Sequence, residues 1–332
     1  MKFHIKIILA LLVLLILASC GRRAESSTSR IDLEKQVQDI NEALTEEDQI
    51  FVEDDVSYWT TLKVEISPFL NAQWLSKQRG PLKKLLEKEL DQDVEISLGQ
   101  DYSATIEALK NGEIHLALLS PSQYVLAQDY GAKAILRTLS YEIDKDGDID
   151  FEKDYTSSKY SQLITKKDSD IKSLADLKGK RLAVANYLST TGFILPLNLL
   201  TIHGLNPTED IEWVNVGSHD KAVEAVYYGD VDAAFTYKDA RTLFKSKLKD
   251  IFETTRVVLV SDPLPSDVVA VAAGIDEEYI EALKEAFLNL SSSEKGRDAI
   301  YNIYQWTDFT QVNDEDYSQI KAMIKRHERE DF

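Results

Sequence analysis

Three hydroxyl residues and a glycine stand in a row at Ser189-Thr-Thr-Gly192. Arg181-Leu-Ala-Val-Ala185 before them reads as a short strand, and Phe193 to His203 after them reads as a helix that stops at Gly204. A helix start presents unpaired N–H groups and a partial positive charge. Hydroxyls placed there can donate to the same anion, and a glycine lets that anion approach the backbone. The plainer reading is that Ser189 or Thr190 is simply the helix N-cap. The stretch alone leaves both readings open.

Other chemistry is thin. Asp144-Lys-Asp-Gly-Asp-Ile-Asp150 has calcium-loop composition, but Gly147 falls at position four and Tyr155 at position twelve. An EF-hand wants glycine at six and glutamate at twelve, so no metal is expected. Tyr227-Tyr228 reads as packing at a helix end. Neither a nucleophile–base pair nor a glycine-rich phosphate loop is visible, so neither an enzyme nor an ATPase is expected, and no cofactor.

The elements that must position these groups alternate. Strand patterns at 60–67, 94–98, 114–119 and 134–136 are separated by helices carrying Leu82, Leu85, Leu86 and Leu90, then Tyr102 to Lys110, then a helix from Pro121. After an acidic loop (144–154) the pattern restarts at Tyr160 to Thr165 and runs through strands at 181–185, 211–216 and 231–235, with a helix at 220–228. Arg256 to Val260 and Val268 to Val271 are further strands, and from Glu277 onward the chain reads as helices. Strands and helices alternating at this pitch mean βαβ units and a mostly parallel sheet.

The pattern repeats internally. Residues 101–117 overlay 218–234 at a constant offset, 219 − 102 = 229 − 112 = 117. Each copy is a helix, a glycine where a left-handed residue ends it, and an apolar strand. Two similarly built lobes follow, with a ligand expected between them at the carboxyl ends of the strands. Each copy begins with a hydrogen-bonding side chain, Tyr102 in one and His219 in the other.

The chain has 332 residues and a net charge of −19, which excludes a nucleic-acid partner. Its first residues differ from the rest. Lys2 and Lys6 precede the apolar run Ile7 to Leu17, followed by Ala18-Ser19-Cys20. That is a secretory signal pattern, too short in its apolar part for a spanning helix of about 20 residues. An uncleaved anchor is the alternative. Leu17-Ala-Ser-Cys20 resembles the lipobox of bacterial lipoproteins, which would make Cys20, the sole cysteine, a lipidated N-terminus. Loss of 1–19 would take the charge to −19 − 2 = −21. Ser-rich 22–30 reads as a tether, and Leu33, Val37, Ile40 and Leu44 mark one stripe of an acidic helix.

Seven motifs then fall in one order: Asp101-Tyr-Ser-Ala104, Gly112 to Pro121, Lys167 to Lys180, Ser189-Thr-Thr-Gly192, Gly217-Ser-His-Asp220, Gly229-Asp-Val-Asp232 and Ser261 to Asp267. Together, over about residues 60–320, the chain resembles the phosphonate-binding lipoproteins, substrate-binding subunits of phosphate/phosphite/phosphonate ABC importers. The resemblance implies an α/β, two-lobed type II periplasmic binding protein, each lobe a mostly parallel sheet flanked by helices, joined by two crossing hinge strands. The expected organisation is a signal at 1–19, a tether and acidic helix at 20–58, one lobe from 59–158 and 262–332, and the other from 159–261. The resemblance implies an oxyanion clamp at Ser189, Thr190 and Thr191, with His219 and Tyr102 beside the ligand. It implies carboxylates at Asp239 and Asp267, which would select protonated oxyanions or aminoalkyl groups. Asp239 is shorter than the glutamate often found there. Lys159, next to Tyr160, stands where the family has a tyrosine; a long charged side chain is expected to face water.

The function expected is capture of a small phosphorus oxyanion, such as phosphonate, phosphite or phosphate, and delivery to an ABC permease. The protein would be a monomer, held outside the cell membrane through Cys20. The rivals are a sulfonate or thiamine-precursor ligand on the same fold, a ligand-sensing lipoprotein, and an enzyme.

Overall fold

The structure, a computed structural model, describes residues 59–144, 147–150 and 152–328. The expected signal, Cys20, the tether and the acidic helix lie outside the described residues. The first half runs β1 (Thr61–Ile66), α1 (Ala72–Leu90), β2 (Asp93–Leu98), α2 (Tyr102–Lys110), β3 (Leu116–Leu119), α3 (Pro121–Gln128) and β4 (Lys133–Ser140). A short β5 (Ser158–Lys159) leads into β6 (Ser161–Lys166) and β7 (Lys180–Val184). A π-helical turn, Thr190–Ile194, opens α4 (Leu195–Ile202), and β8 (Ile211–Asn215), α5 (His219–Tyr228), β9 (Ala233–Tyr237) and β10 (Thr255–Val260) follow. The chain ends with β11 (Leu264–Pro265), β12 (Val268–Val271), α6 (Glu277–Ser292), α7 (Glu294–Tyr304), β13 (Trp306–Thr310) and α8 (Ser318–Glu328).

Two sheets form, and their strand orders match. One runs β2-β1-β3-β12-β4-β13 and the other β8-β7-β9-β6-β10. The first three strands of each list are parallel neighbours. The fourth, β12 or β6, is antiparallel to both of its neighbours. In each lobe that inverted strand is the first one laid down after the chain crosses over. The crossings themselves pair antiparallel, with Lys159 opposite Leu264 and Ser158 opposite Pro265. They stand where the two crossing strands between the lobes were expected.

The sequence dictates the central strands. Leu116-Ala-Leu-Leu119 is buried throughout, as a strand covered on both faces must be. In the second lobe β9 fills the same place, with Phe235 fully buried. Helix starts are specified locally: the Asn71 side chain accepts from the Gln73 and Trp74 amides, and Ser120 with Gln123 forms a capping box ahead of Pro121. The C-terminal part departs from the all-helical expectation. Gln305 adopts φ 60°, ending α7, and Trp306–Thr310 then pairs antiparallel with the edge of β4. Trp306 and Phe309 are buried by that pairing, and burial on a sheet edge overrides the helical context.

Candidate functional site

The carboxyl ends of the parallel strands of both lobes point at one cavity. Phe69 and Ser120 follow β1 and β3, Ser189 follows β7, and Tyr237 closes β9; all line it. Its volume is about 100 Å³. Pockets for drug-sized molecules run to about 300–1,000 Å³, so this one suits a small ligand.

Six of the seven residues expected at a site meet here: Tyr102, Ser189, Thr190, Thr191, His219 and Asp267. Tyr102 and His219 are the first residues of α2 and α5, the equivalent helices of the two lobes. Both border Ser189 in the cavity. Ser189 Oγ lies 3.1 Å from His219 Nε2. Burial and the Asp267 carboxylate raise the Tyr102 phenol far above its usual range, while a hydrogen bond with Ser189 opposes them. The cap reading of the opening stretch holds: Ser189 Oγ accepts from the Gly192 amide at 3.1 Å, and the same oxygen lines the cavity. Gly192 is needed for this approach: a Cβ there would stand 2.9 Å from Ser189 Oγ and 3.2 Å from His219 Cε1.

Thr190 lines the cavity but serves the other lobe. The Ser122 amide donates to Thr190 Oγ1 at 2.9 Å, and the two hydroxyls lie 2.8 Å apart. The Ser122 hydroxyl donates to the Leu188 carbonyl, which leaves Thr190 as donor to Ser122 Oγ. The His219 amide likewise crosses to the Phe69 carbonyl at 3.2 Å. Tyr237 and Gln305, and Lys238 and Glu142, add further bonds across the cavity at 3.3 and 2.7 Å. The lobes are closed. The sequence did not mark Ser122, which lies outside both copies of the repeat.

Asp239 is not at the cavity. It is buried, holds a left-handed backbone (φ 57°), and binds Arg241 Nη2 at 2.7 Å. Its partner stands two residues away and was overlooked. Off the cavity and paired with Arg241, this carboxylate is not placed to receive an aminoalkyl group.

Lys159 also differs from expectation. Instead of facing water, it turns into the cavity and forms an ion pair with Asp267. Its ammonium lies 5.6 and 5.8 Å from the ring centres of Phe69 and Tyr237, a setting that holds a cation. Trp306 Nε1 donates to the same Asp267 oxygen, Oδ2, at 3.1 Å. Asp267 Oδ1 and His219 Nδ1 are buried and have no partner among the described residues. Buried polar atoms left unpaired cost about 1–3 kcal/mol each, so both call for a ligand or water.

Ser189 and His219 form a hydroxyl–imidazole pair that the sequence did not reveal. Burial, then the Lys159 charge, lowers the His219 imidazole to about 3, and among the described residues none pairs with Nδ1; a working general base titrates near the operating pH. Neutral imidazole remains a hydrogen-bond donor. The acidic loop is taken up by lysines: Asp148 bonds Lys245 at 2.5 Å and Asp150 bonds Lys153 at 3.2 Å. No helix among the described residues is long and apolar enough to cross a membrane.

Comparison with known proteins places this arrangement. A family model described as ABC transporter, phosphonate, periplasmic substrate-binding protein matches residues 64–317. The phosphate-import protein PhnD of Mycolicibacterium smegmatis is 28% identical over 237 residues, 68% of this chain and 71% of the relative. The phosphonates-binding periplasmic protein of Escherichia coli is 23% identical over 247 residues, 73% of this chain and 69% of the relative. Among solved structures, PhnD1 of Prochlorococcus marinus in complex with methylphosphonate superposes with a TM-score of 0.68 at 20% identity, covering 81% of this chain and 98% of that one. At that identity the match speaks for the fold.

Proposed function

The chain belongs to the phosphonate family of ABC-transporter periplasmic substrate-binding proteins, and from that premise we propose that its cavity holds a small phosphorus oxyanion through Tyr102, Ser189, Thr191 and His219. The class of protein is a binding component that works outside the cytoplasm and hands its ligand to a permease. The observation that carries the ligand assignment is the meeting of Tyr102 and His219, from opposite lobes, beside Ser189 in one cavity. Lobe closure removes water from an anion held there. Each hydrogen bond to a charged ligand contributes about 1.5–3 kcal/mol, so four or five suffice for micromolar binding after the cost of ordering.

Thr190 has a different part: it ties the closed lobes together through Ser122. The hinge is assigned to the β5–β11 pair, with 59–158 and 262–332 as one lobe and 159–261 as the other. The work is binding rather than catalysis, in keeping with a His219 too weakly basic to activate Ser189.

The test is a thermal-shift panel of phosphate, phosphite, methylphosphonate, 2-aminoethylphosphonate, sulfate and taurine. A shift is expected with phosphorus oxyanions, and Ser189→Ala with Thr191→Ala should abolish it while the unliganded protein still melts cooperatively. A response to taurine alone, or an unchanged shift in the double variant, removes the assignment. Anchoring through lipidated Cys20 completes the reading, supported by the lipobox-like Leu17-Ala-Ser-Cys20. Cys20→Ser should move the protein from the membrane fraction to the soluble fraction; retention in the membrane would point to an uncleaved anchor.

A further inference from the structure

The cavity's charges balance. Its lining carries two lysines and two carboxylates, paired as Lys159 with Asp267 and Lys238 with Glu142. A tyrosine at position 159, where the family has one, would leave Asp267 uncompensated beside the ligand. An uncompensated carboxylate repels an anion and favours ligands of low charge. With Lys159 in place, that repulsion is offset.

The two oxygens of Asp267 are in different situations. Oδ2 takes both Lys159 and the Trp306 indole N–H. Oδ1 takes no hydrogen bond from any described residue, and Asp267 is 1% exposed. An unpaired buried carboxylate oxygen can be satisfied only by a donor. The site therefore tolerates high negative charge and, in the same place, asks the ligand for a proton.

We propose that Lys159 and Asp267 together make the site selective for hydrogenphosphate, a tetrahedral oxyanion that carries two negative charges and still has an O–H to donate to Asp267 Oδ1. This rests on the phosphorus-oxyanion reading above and narrows it. The dianions of methylphosphonate and phosphite, and sulfate, bring the charge without the O–H. Dihydrogenphosphate brings the O–H with less charge. An aminoalkyl phosphonate would set an ammonium beside Lys159, with Asp239 already bound to Arg241.

The buried phenols and the imidazole facing the pair are moved away from the neutral range. The phenols of Tyr102, Tyr237, Tyr304 and Tyr317 are all raised, chiefly by burial. The His219 imidazole is lowered to about 3 by burial and by Lys159. The remaining charged groups on the lining, Lys238 and Glu142, are paired with each other. A pH dependence of binding between about pH 6 and pH 8 then reports the ligand's own second ionisation.

Calorimetric titration of the wild type at pH 8 with phosphate, methylphosphonate, phosphite and sulfate tests this directly. Phosphate is expected to bind at least tenfold more tightly than the others, and its affinity to rise from pH 6 to pH 8 as the dianion replaces the monoanion. In Lys159→Met, phosphate affinity at pH 8 should drop at least tenfold and the pH trend should reverse, with binding recovered on acidification. In Asp267→Asn, whose amide can donate, the preference for phosphate over sulfate should collapse. Methylphosphonate binding as tightly as phosphate at pH 8, or a Lys159→Met variant keeping the wild-type trend, overturns the proposal while leaving the phosphorus-oxyanion reading intact. Failure of the wild type to bind any phosphorus oxyanion would remove that reading and the proposal with it. The wild-type ligand order decides the matter even if a variant fails to fold.

Discussion

A single oxygen, Ser189 Oγ, accepts from the Gly192 amide and lies 3.1 Å from His219 Nε2. Cap and clamp are therefore not alternatives, because a hydroxyl has two acceptor sites and one proton. His219 brings a cost in acid. Its imidazole is lowered from an ordinary value of 6.5 to about 3 by burial, so the unfolded chain takes up a proton that the folded chain refuses. The stability tied to the neutral ring is fully present above pH 6.5 and is lost as the pH falls toward 3. At pH 5 the loss is about 2 kcal/mol. The melting temperature of the unliganded protein should fall between pH 7 and pH 5, and His219→Gln should flatten part of that fall. His115 and His327, both lowered to about 4, contribute in the same direction. An identical acid profile in the variant would contradict the assigned burial. Individual residues were unevenly legible. Tyr102 and His219 announced themselves by opening repeated helices. Lys159 did not, because its partner lies 108 positions away, and nothing local to Lys159 marks that it will turn inward.

The π-helical turn Thr190–Ile194, capped by Ser189, is the element that would present the proposed clamp. It was expected as the start of an ordinary helix, and its extra residue per turn is invisible in residue type. Both Phe193 and Ile194 amides reach the Ser189 carbonyl at 2.9 Å, and such bulges recur at functional sites. Gly192 sits inside the turn with no room for a side chain. Gly192→Ala should push Ser189 Oγ and the His219 ring apart and weaken ligand binding about tenfold, roughly 1.4 kcal/mol, with secondary structure unchanged by circular dichroism. Unchanged affinity would mean the turn can yield without cost. The strands around it were well predicted, since β3 and β9 are buried apolar runs closed by loops. β13 was missed for the opposite reason: Trp306–Thr310 becomes a strand only because β4 offers it an edge.

At the level of the whole molecule, the internal repeat was the most informative feature of the sequence. An offset of 117 positions between two helix–glycine–strand units grew into two sheets with the same strand order. The sequence could not say how the lobes meet. Ser122 to Thr190, Tyr237 to Gln305 and Lys238 to Glu142 are contacts between distant segments, chosen by the closed arrangement and not by local propensity.

Lys159 lies in hinge strand β5, and Asp267 lies just beyond hinge strand β11, its partner. A pivot moves least when two arms swing. With the proposed hinge at β5–β11, the Lys159–Asp267 pair would ride on the axis, and Ser189, His219 and Tyr102 on the arms. On the proposed hinge, an arriving anion would meet the same two charges whether the arms are apart or together. It meets the converging hydroxyls only once they have come together. Sorting by charge then belongs to the moment of encounter and retention to the moment after, so a defect in Lys159→Met falls on the rate of association and one in Ser189→Ala on the rate of release.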